Sequence, residues 1–144
     1  MRLRSFVRLI LFAVIAAFPL GGKVEAQRLN VDAFLQKWDT DHDGTLSLDE
    51  IKTAATARFE ALDRRRTGRL SRSQLAGVLA SQQFRKADKD KDGTLDKDEF
   101  LSVVEELFQA TDKDHDGTLD KRELGSSAGK ALLRVFAPRQ GPIM

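Results

Sequence analysis

The sequence predicts an all-α fold built from tandem copies of one helix–loop–helix unit, and three observations carry that prediction. Four twelve-residue segments share a skeleton: DTDHDGTLSLDE (39–50), DRRRTGRLSRSQ (63–74), DKDKDGTLDKDE (88–99) and DKDHDGTLDKRE (112–123). Each opens with Asp and carries Gly at its sixth place and Leu at its eighth. The opening residues Asp39, Asp63, Asp88 and Asp112 follow one another at 24, 25 and 24 residues, the mark of a repeated supersecondary unit. Large apolar residues hold fixed places around each segment: Leu35, Phe59, Phe84 and Phe108 four residues before it opens, and Ile51, Leu75, Phe100 and Leu124 just after it closes.

Taken in order, Asn30 is a cap for a first helix running through Trp38. IKTAATARFEAL (51–62) and LAGVLASQQF (75–84) read as the second and third helices. FLSVVEELF (100–108) is the strongest, with Phe100, Val103, Val104, Leu107 and Phe108 on one stripe. The pairs Ser47/Glu50, Ser71/Gln74, Asp96/Glu99 and Asp120/Glu123 have the spacing of capping boxes, in which the first residue accepts from free N–H groups of the new helix and the fourth reaches back.

Residues 1–26 differ from the rest. Arg2, Arg4 and Arg8 precede the apolar run LILFAVIAAFPL (9–20), and Val24-Glu25-Ala26 ends the segment. This reads as a secretory signal peptide cut before Gln27. As a helix the apolar run would span about 18 Å against a hydrocarbon core of about 30 Å, so no membrane span is expected after its removal. The expected organisation is a signal peptide (1–26), a repeat domain (27–137) and a short tail (138–144), in a protein exported to a periplasm or secreted.

The net charge of +2 belongs to the full chain. Removing four basic residues and one acidic residue leaves 20 basic against 21 acidic, which gives no argument for nucleic-acid binding. The chain has no Cys and therefore no disulfide framework, thiolate metal site or Cys nucleophile. It has no Tyr, no G-x-S-x-G and no phosphate loop, and both His residues lie inside acidic segments, so no enzymatic activity is expected.

The three acidic segments match D-x-D-x-D-G with Glu at place 12. They resemble the EF-hand calcium-binding loop, and the resemblance extends over nearly all of residues 31–136. Ca²⁺ is a hard cation that takes six to eight oxygens, and this loop supplies them from places 1, 3, 5, 7, 9 and 12. Gly at place 6 permits the sharp turn, place 7 gives its backbone carbonyl, and Glu at place 12 gives two oxygens. The resemblance thus implies three Ca²⁺ per chain. The ligands would be Asp39, Asp41, Asp43, Thr45, Ser47 and Glu50 in loop 1, Asp88, Asp90, Asp92, Thr94, Asp96 and Glu99 in loop 3, and Asp112, Asp114, Asp116, Thr118, Asp120 and Glu123 in loop 4. His42 and His115 at place 4 are expected to face solvent.

Loop 2 reads Asp63, Arg65, Thr67, Ser71 and Gln74 at the corresponding places and should hold no ion. It keeps Gly68, Leu70 and the Ser71/Gln74 box, and so reads as a site retained for folding, with a guanidinium able to neutralise Asp63. Arg64, Arg65, Arg66, Arg69 and Arg72 alternatively form a patch for an anion or a partner.

Only 12 residues separate loops 1 and 2, enough for one helix of about 18 Å. Each connecting helix should therefore be shared between consecutive loops, and side-by-side pairing should fall to non-adjacent loops such as 1 with 3. This compact spacing is similar to that of small exported bacterial EF-hand proteins. Two functions follow from the resemblance: a calcium buffer or calcium-stabilised module, or a calcium-dependent sensor that binds a protein partner. After residue 26 the only Met is Met144, which favours a fixed core over an adaptable groove. Charge counting predicts that loops 3 and 4, with five acidic places each, fill before loop 1.

Overall fold

The computed structural model describes residues 30–138. The segment read as a signal peptide (1–26) and almost all of the tail (138–144) lie outside those residues. Among the described residues six helices and four very short strands follow one another: α1 (Val31–Trp38), β1 (Leu46–Ser47), α2 (Leu48–Leu62), β2 (Arg69–Ser71), α3 (Ser81–Ala87), β3 (Thr94–Asp96), α4 (Lys97–Thr111), β4 (Thr118–Leu119), α5 (Lys121–Gly125) and α6 (Ser127–Phe136). The architecture is the helical repeat expected, with the strands confined to the second halves of the loops.

Local chemistry accounts for the helix boundaries. The Asn30 side chain accepts from the Asp32 N–H and starts α1. Reciprocal capping boxes start α2 at Ser47/Glu50, α4 at Asp96/Glu99 and α5 at Asp120/Glu123. Helices α2 and α4 have 15 residues each, about 22 Å. Each leaves one loop and enters the next, as the short spacing predicts.

These two helices form the centre of the molecule. On α2 the buried positions Ile51, Ala54, Ala55 and Phe59 repeat the spacing of Phe100, Val103, Val104 and Phe108 on α4. The two lie antiparallel: Phe59 meets Phe100 with ring centroids 5.7 Å apart, and Lys52 pairs with Glu105 at 3.2 Å toward the other end. Leu107 is only partly buried. Helix α6 covers α2 and α4 with Leu132, Leu133 and Val135, and Phe136 packs on Phe34 of α1. Arg58 of α2 donates to the carbonyls of Val135 (2.9 Å) and Ala137 (2.5 Å), satisfying the end of α6.

Two expectations need correction. The segment 75–84 is not one helix. After loop 2 the chain makes turns from Leu75 to Ala80, with Gly77 at φ +79°, and α3 begins only at Ser81. Gly adopts that left-handed conformation without the Cβ clash, so it marks the place where the chain reverses. The pairing of loops differs accordingly. Strand β1 pairs antiparallel with β4, joining loop 1 to loop 4, and β2 pairs with β3, joining loop 2 to loop 3. Loops 2 and 3 are consecutive yet adjacent, because the reversal at Gly77 folds the chain back between them. Loop 1 does not pair with loop 3: α2 and α4 carry the two pairs to opposite ends of the molecule.

A second break follows loop 4. Ser126 ends α5 and caps α6, its hydroxyl accepting from Gly129 N–H at 3.0 Å. Here α6 lies so close to α5 that a Cβ on Gly129 would come within 2.2 Å of the Glu123 carbonyl oxygen.

Candidate metal centres

Each acidic loop gathers carboxylates from residues far enough apart in sequence to need the loop's winding. In loop 1, oxygens of Asp39, Asp41 and Asp43 lie within 4.8 Å of one another; in loop 3, those of Asp88, Asp90 and Glu99; in loop 4, those of Asp112, Asp114 and Glu123. The place-12 carboxylate arrives from the first turn of the following helix. Glu99 accepts from Lys89 N–H (2.9 Å) and Asp96 N–H (3.0 Å), and Glu123 from Lys113 N–H (2.7 Å) and Asp120 N–H (3.1 Å). One residue thus caps a helix, closes a loop and offers its oxygens to the loop's interior.

Asp92 and Asp116 at place 5 each turn one oxygen to the following Thr, whose N–H and hydroxyl both donate to it. The place-9 residues Ser47, Asp96 and Asp120 are committed to capping. Thr45, Thr94 and Thr118 at place 7 sit where the loops turn into strands, the position from which a backbone carbonyl would serve. The Glu123 N–H, and after it Arg122, hold the Asp120 carboxyl below the usual carboxylate range against the opposing effect of burial.

The donor set fits a hard cation, and one observation tests the fit. Asp88 Oδ1 and Asp112 Oδ1 are buried and take no hydrogen bond, while the Oδ2 atoms accept from Gly93 and Gly117 N–H groups at 3.2 Å. A carboxylate oxygen removed from water without a donor is unfavourable unless a cation meets it. Both atoms belong to the place-1 residue of an intact loop.

Loop 1 is arranged differently. Asp39 accepts from Asp43 N–H (3.2 Å) and Gly44 N–H (3.0 Å), one on each oxygen. Glu50 stands outside the carboxylate cluster, bound by Thr40 through N–H (2.6 Å) and hydroxyl (2.8 Å) and by Ser47 through N–H and hydroxyl (both 3.0 Å). Burial opposes its charge, but these four donors outweigh burial and hold its pKa down at about 2. Partial desolvation and then the neighbouring Asp43 charge raise the Asp41 carboxyl above its ordinary range. The sequence feature behind Glu50's environment is the hydroxyl of Thr40 at place 2, where the other loops have Arg64, Lys89 and Lys113.

Loop 2 keeps the fold and loses the cluster. Asp63 accepts from Thr67 N–H (2.9 Å), Thr67 hydroxyl (3.1 Å) and Gly68 N–H (2.7 Å), and the Thr67 N–H leads in holding its carboxyl below the usual range. No guanidinium forms an ion pair with Asp63 among the described residues, contrary to the expectation from sequence; the loop's own donors satisfy it. Gln74 accepts from Ser71 and donates to the Leu62 carbonyl, so the box survives although turns follow it instead of a helix. The basic residues separate in space. Arg72 stacks on Phe84 at 5.1 Å from the ring centroid, and Arg69 crosses to loop 3. His42 and His115 are exposed, as expected, and His42 Nδ1 lies 3.0 Å from the Asp39 carbonyl oxygen.

The helical fold fits that of EF hands, units whose carboxylate loops bind calcium. Comparison with known families agrees: the "EF hand domain" model matches residues 80–107, and the "EF hand" model matches residues 31–54 and 103–126. Each acidic loop falls inside a matched segment. No curated protein matches the chain. Among solved structures, a homolog of programmed cell death 6 protein from Leishmania major Friedlin is similar at 15% identity over 72% of this chain and 90% of that one, with a TM-score of 0.29, a likeness too loose to carry an argument. Among the described residues no helix is long and apolar enough to cross a membrane.

Proposed function

We propose that this is an exported, non-enzymatic protein that binds three Ca²⁺ per chain, as a calcium buffer or a module stabilised by the ion. The observation that carries the reading is the pair of buried place-1 oxygens, Asp88 Oδ1 and Asp112 Oδ1, each without a hydrogen-bond donor inside a loop of converging carboxylates. Ca²⁺ would be held by the eighteen residues named for loops 1, 3 and 4 and would supply the positive charge that those carboxylates lack among themselves. Loop 2 is left out because Asp63 is saturated by its own loop and Arg65, Thr67 and Gln74 remove the other charges. The arginine-led apolar segment at 1–26 supports export to a periplasm or the medium. Expressed in a bacterial host, the protein should be recovered outside the cytoplasm with Gln27 as its first residue; recovery in the cytoplasm with residues 1–26 attached would oppose export.

A sensor role is the second reading, and one feature favours it. A groove of about 220 Å³ opens between α3 and α4, lined by Ala87, Val103 and Leu107 and bridged by the 2.8 Å ion pair of Lys86 and Glu106. Apolar-dye binding that rises with Ca²⁺ would support a calcium-dependent partner there; binding indifferent to Ca²⁺ supports the buffer or module.

A further inference from the structure

Arg69 belongs to loop 2 but its guanidinium lies on the ligands of loop 3. Nη1 forms an ion pair with Asp92 Oδ2, lies 3.9 Å from Asp90 Oδ2, and donates to the Thr94 hydroxyl at 3.4 Å. The antiparallel register of β2 and β3 puts it there, setting Arg69 directly opposite Asp96. Asp92 is thereby engaged at both oxygens, because Oδ1 accepts from Thr94 N–H (2.8 Å) and hydroxyl (2.6 Å). Asp90 Oδ1 accepts from Asp92 N–H at 3.2 Å. The other loop pair has no arginine at the place Arg69 holds: place 7 is Thr45 in loop 1 and Thr118 in loop 4, with Thr118 opposite Ser47. The one guanidinium on a loop 4 ligand among the described residues, Arg122 on Asp120 at 3.1 Å, comes from the same loop and meets the capping place 9.

We propose that Arg69 is a built-in competitor for loop 3, a tethered cation that a divalent ion must displace from Asp92 and Asp90, and that it makes loop 3 fill after loop 4. The proposal rests on the calcium reading of the loops. It separates two loops that charge counting ranks as equal, since loop 3 has as many acidic places as loop 4. It also gives one of the five arginines of loop 2 a role, because a loop that holds no ion supplies the charge that sets its neighbour's affinity. The guanidinium and Asp90 are half-exposed and Asp92 is about one third exposed, so solvent weakens the pairing and the effect is a tuning of affinity, not a block. An exposed pair of this kind and the repulsion between a guanidinium and an incoming ion are both screened by salt.

The test is a Ca²⁺ titration of the full chain followed by NMR of the amides of Gly44, Gly93 and Gly117, one in each intact loop. In the unaltered protein Gly93 should respond after Gly117. Arg69→Gln should move the Gly93 midpoint to about threefold to tenfold lower Ca²⁺ while leaving Gly44 and Gly117 in place, and Arg69→Lys, which keeps the charge, should retain most of the weak binding. The difference between Arg69→Gln and the unaltered protein should shrink as salt rises. An unchanged or higher Gly93 midpoint in Arg69→Gln overturns the proposal, since the arginine would then be neutral or helpful to binding. If none of the three amides responds to Ca²⁺, the calcium reading itself fails and this proposal falls with it.

Discussion

Leu46 of loop 1 lies directly across from Leu119 of loop 4, and both side chains are fully buried. They are the central contact between two loops 73 residues apart in sequence. An ion that orders one of these loops therefore orders the strand on which the other depends. Loop 3 has a partner too, in the Leu70–Leu95 contact, but that partner lacks the ligands for an ion of its own.

Loops 1 and 4 should accordingly behave as a coupled pair and loop 3 as a single site. Glu123→Gln removes the charged clamp of loop 4 while sparing a side-chain oxygen to cap α5. It should raise the Gly44 midpoint at least about fivefold, the low end of ordinary coupling between sites. The Gly93 midpoint, separated from loop 4 by α4, should stay within about twofold. Equal shifts at both glycines would mean that coupling runs through the helices and not through the strand pair.

Gly129 should resist substitution. A Cβ there meets the carbonyl oxygens of Glu123 and Leu124 at 2.2 and 2.4 Å, and backbone cannot swing aside as a side chain can. Gly129→Ala should lower stability in chemical denaturation by about 1–3 kcal/mol, the ordinary range for overpacking. Because it presses on Glu123, it should also weaken loop 4. Stability equal to that of the unaltered chain would show that α6 is free to shift.

Glu50 gives the molecule a pH dependence that is separate from ion binding. Its folded pKa of about 2 lies below the ordinary 4.5. A depressed carboxyl contributes stability that is complete above the ordinary value and is lost as pH falls through the folded one. With calcium chelated, Glu50→Gln should therefore be less stable than the unaltered chain near neutral pH, with the gap closing between pH 4.5 and about 2. A gap independent of pH would assign the effect to the amide's geometry instead of the lost charge.

Loop 2 should accept an ion when its ligands are restored. Arg65→Asp, Thr67→Asp and Gln74→Glu together rebuild carboxylates at places 3, 5 and 12 on a backbone that already turns at Gly68. Calorimetry should register one additional Ca²⁺ in the triple variant. No gain would mean that Asp63, still bound by the backbone N–H groups of residues 67 and 68, does not release its oxygens.

What is legible in the sequence is local. Asn30, the paired capping residues and the sixth-place glycines act within a few residues of themselves, so their positions alone define helix starts and loops. The apolar positions of α2 and α4 also follow directly from spacing. The pairing of loops is harder to read, because it depends on where the chain reverses. Gly77 is the available signal, a glycine in the middle of LAGVLA, followed by Ser81 at the start of the next helix. Reading 75–84 as one helix hides the reversal and leads to the pairing of loop 1 with loop 3. Arg69 is visible as part of a basic run, but its destination cannot be read without knowing that β2 lies beside β3. Glu50's withdrawal from the loop 1 cluster turns on the Thr40 hydroxyl, a second-place residue that the ligand pattern ignores.

The most direct test of calcium binding by these loops is the number of ions held by the intact chain, counted by native mass spectrometry with calorimetry alongside. Loops 1, 3 and 4 assemble carboxylate clusters and loop 2 does not, which predicts three. Four bound ions would contradict the reading of loop 2, and none would contradict the reading of the loops as calcium sites.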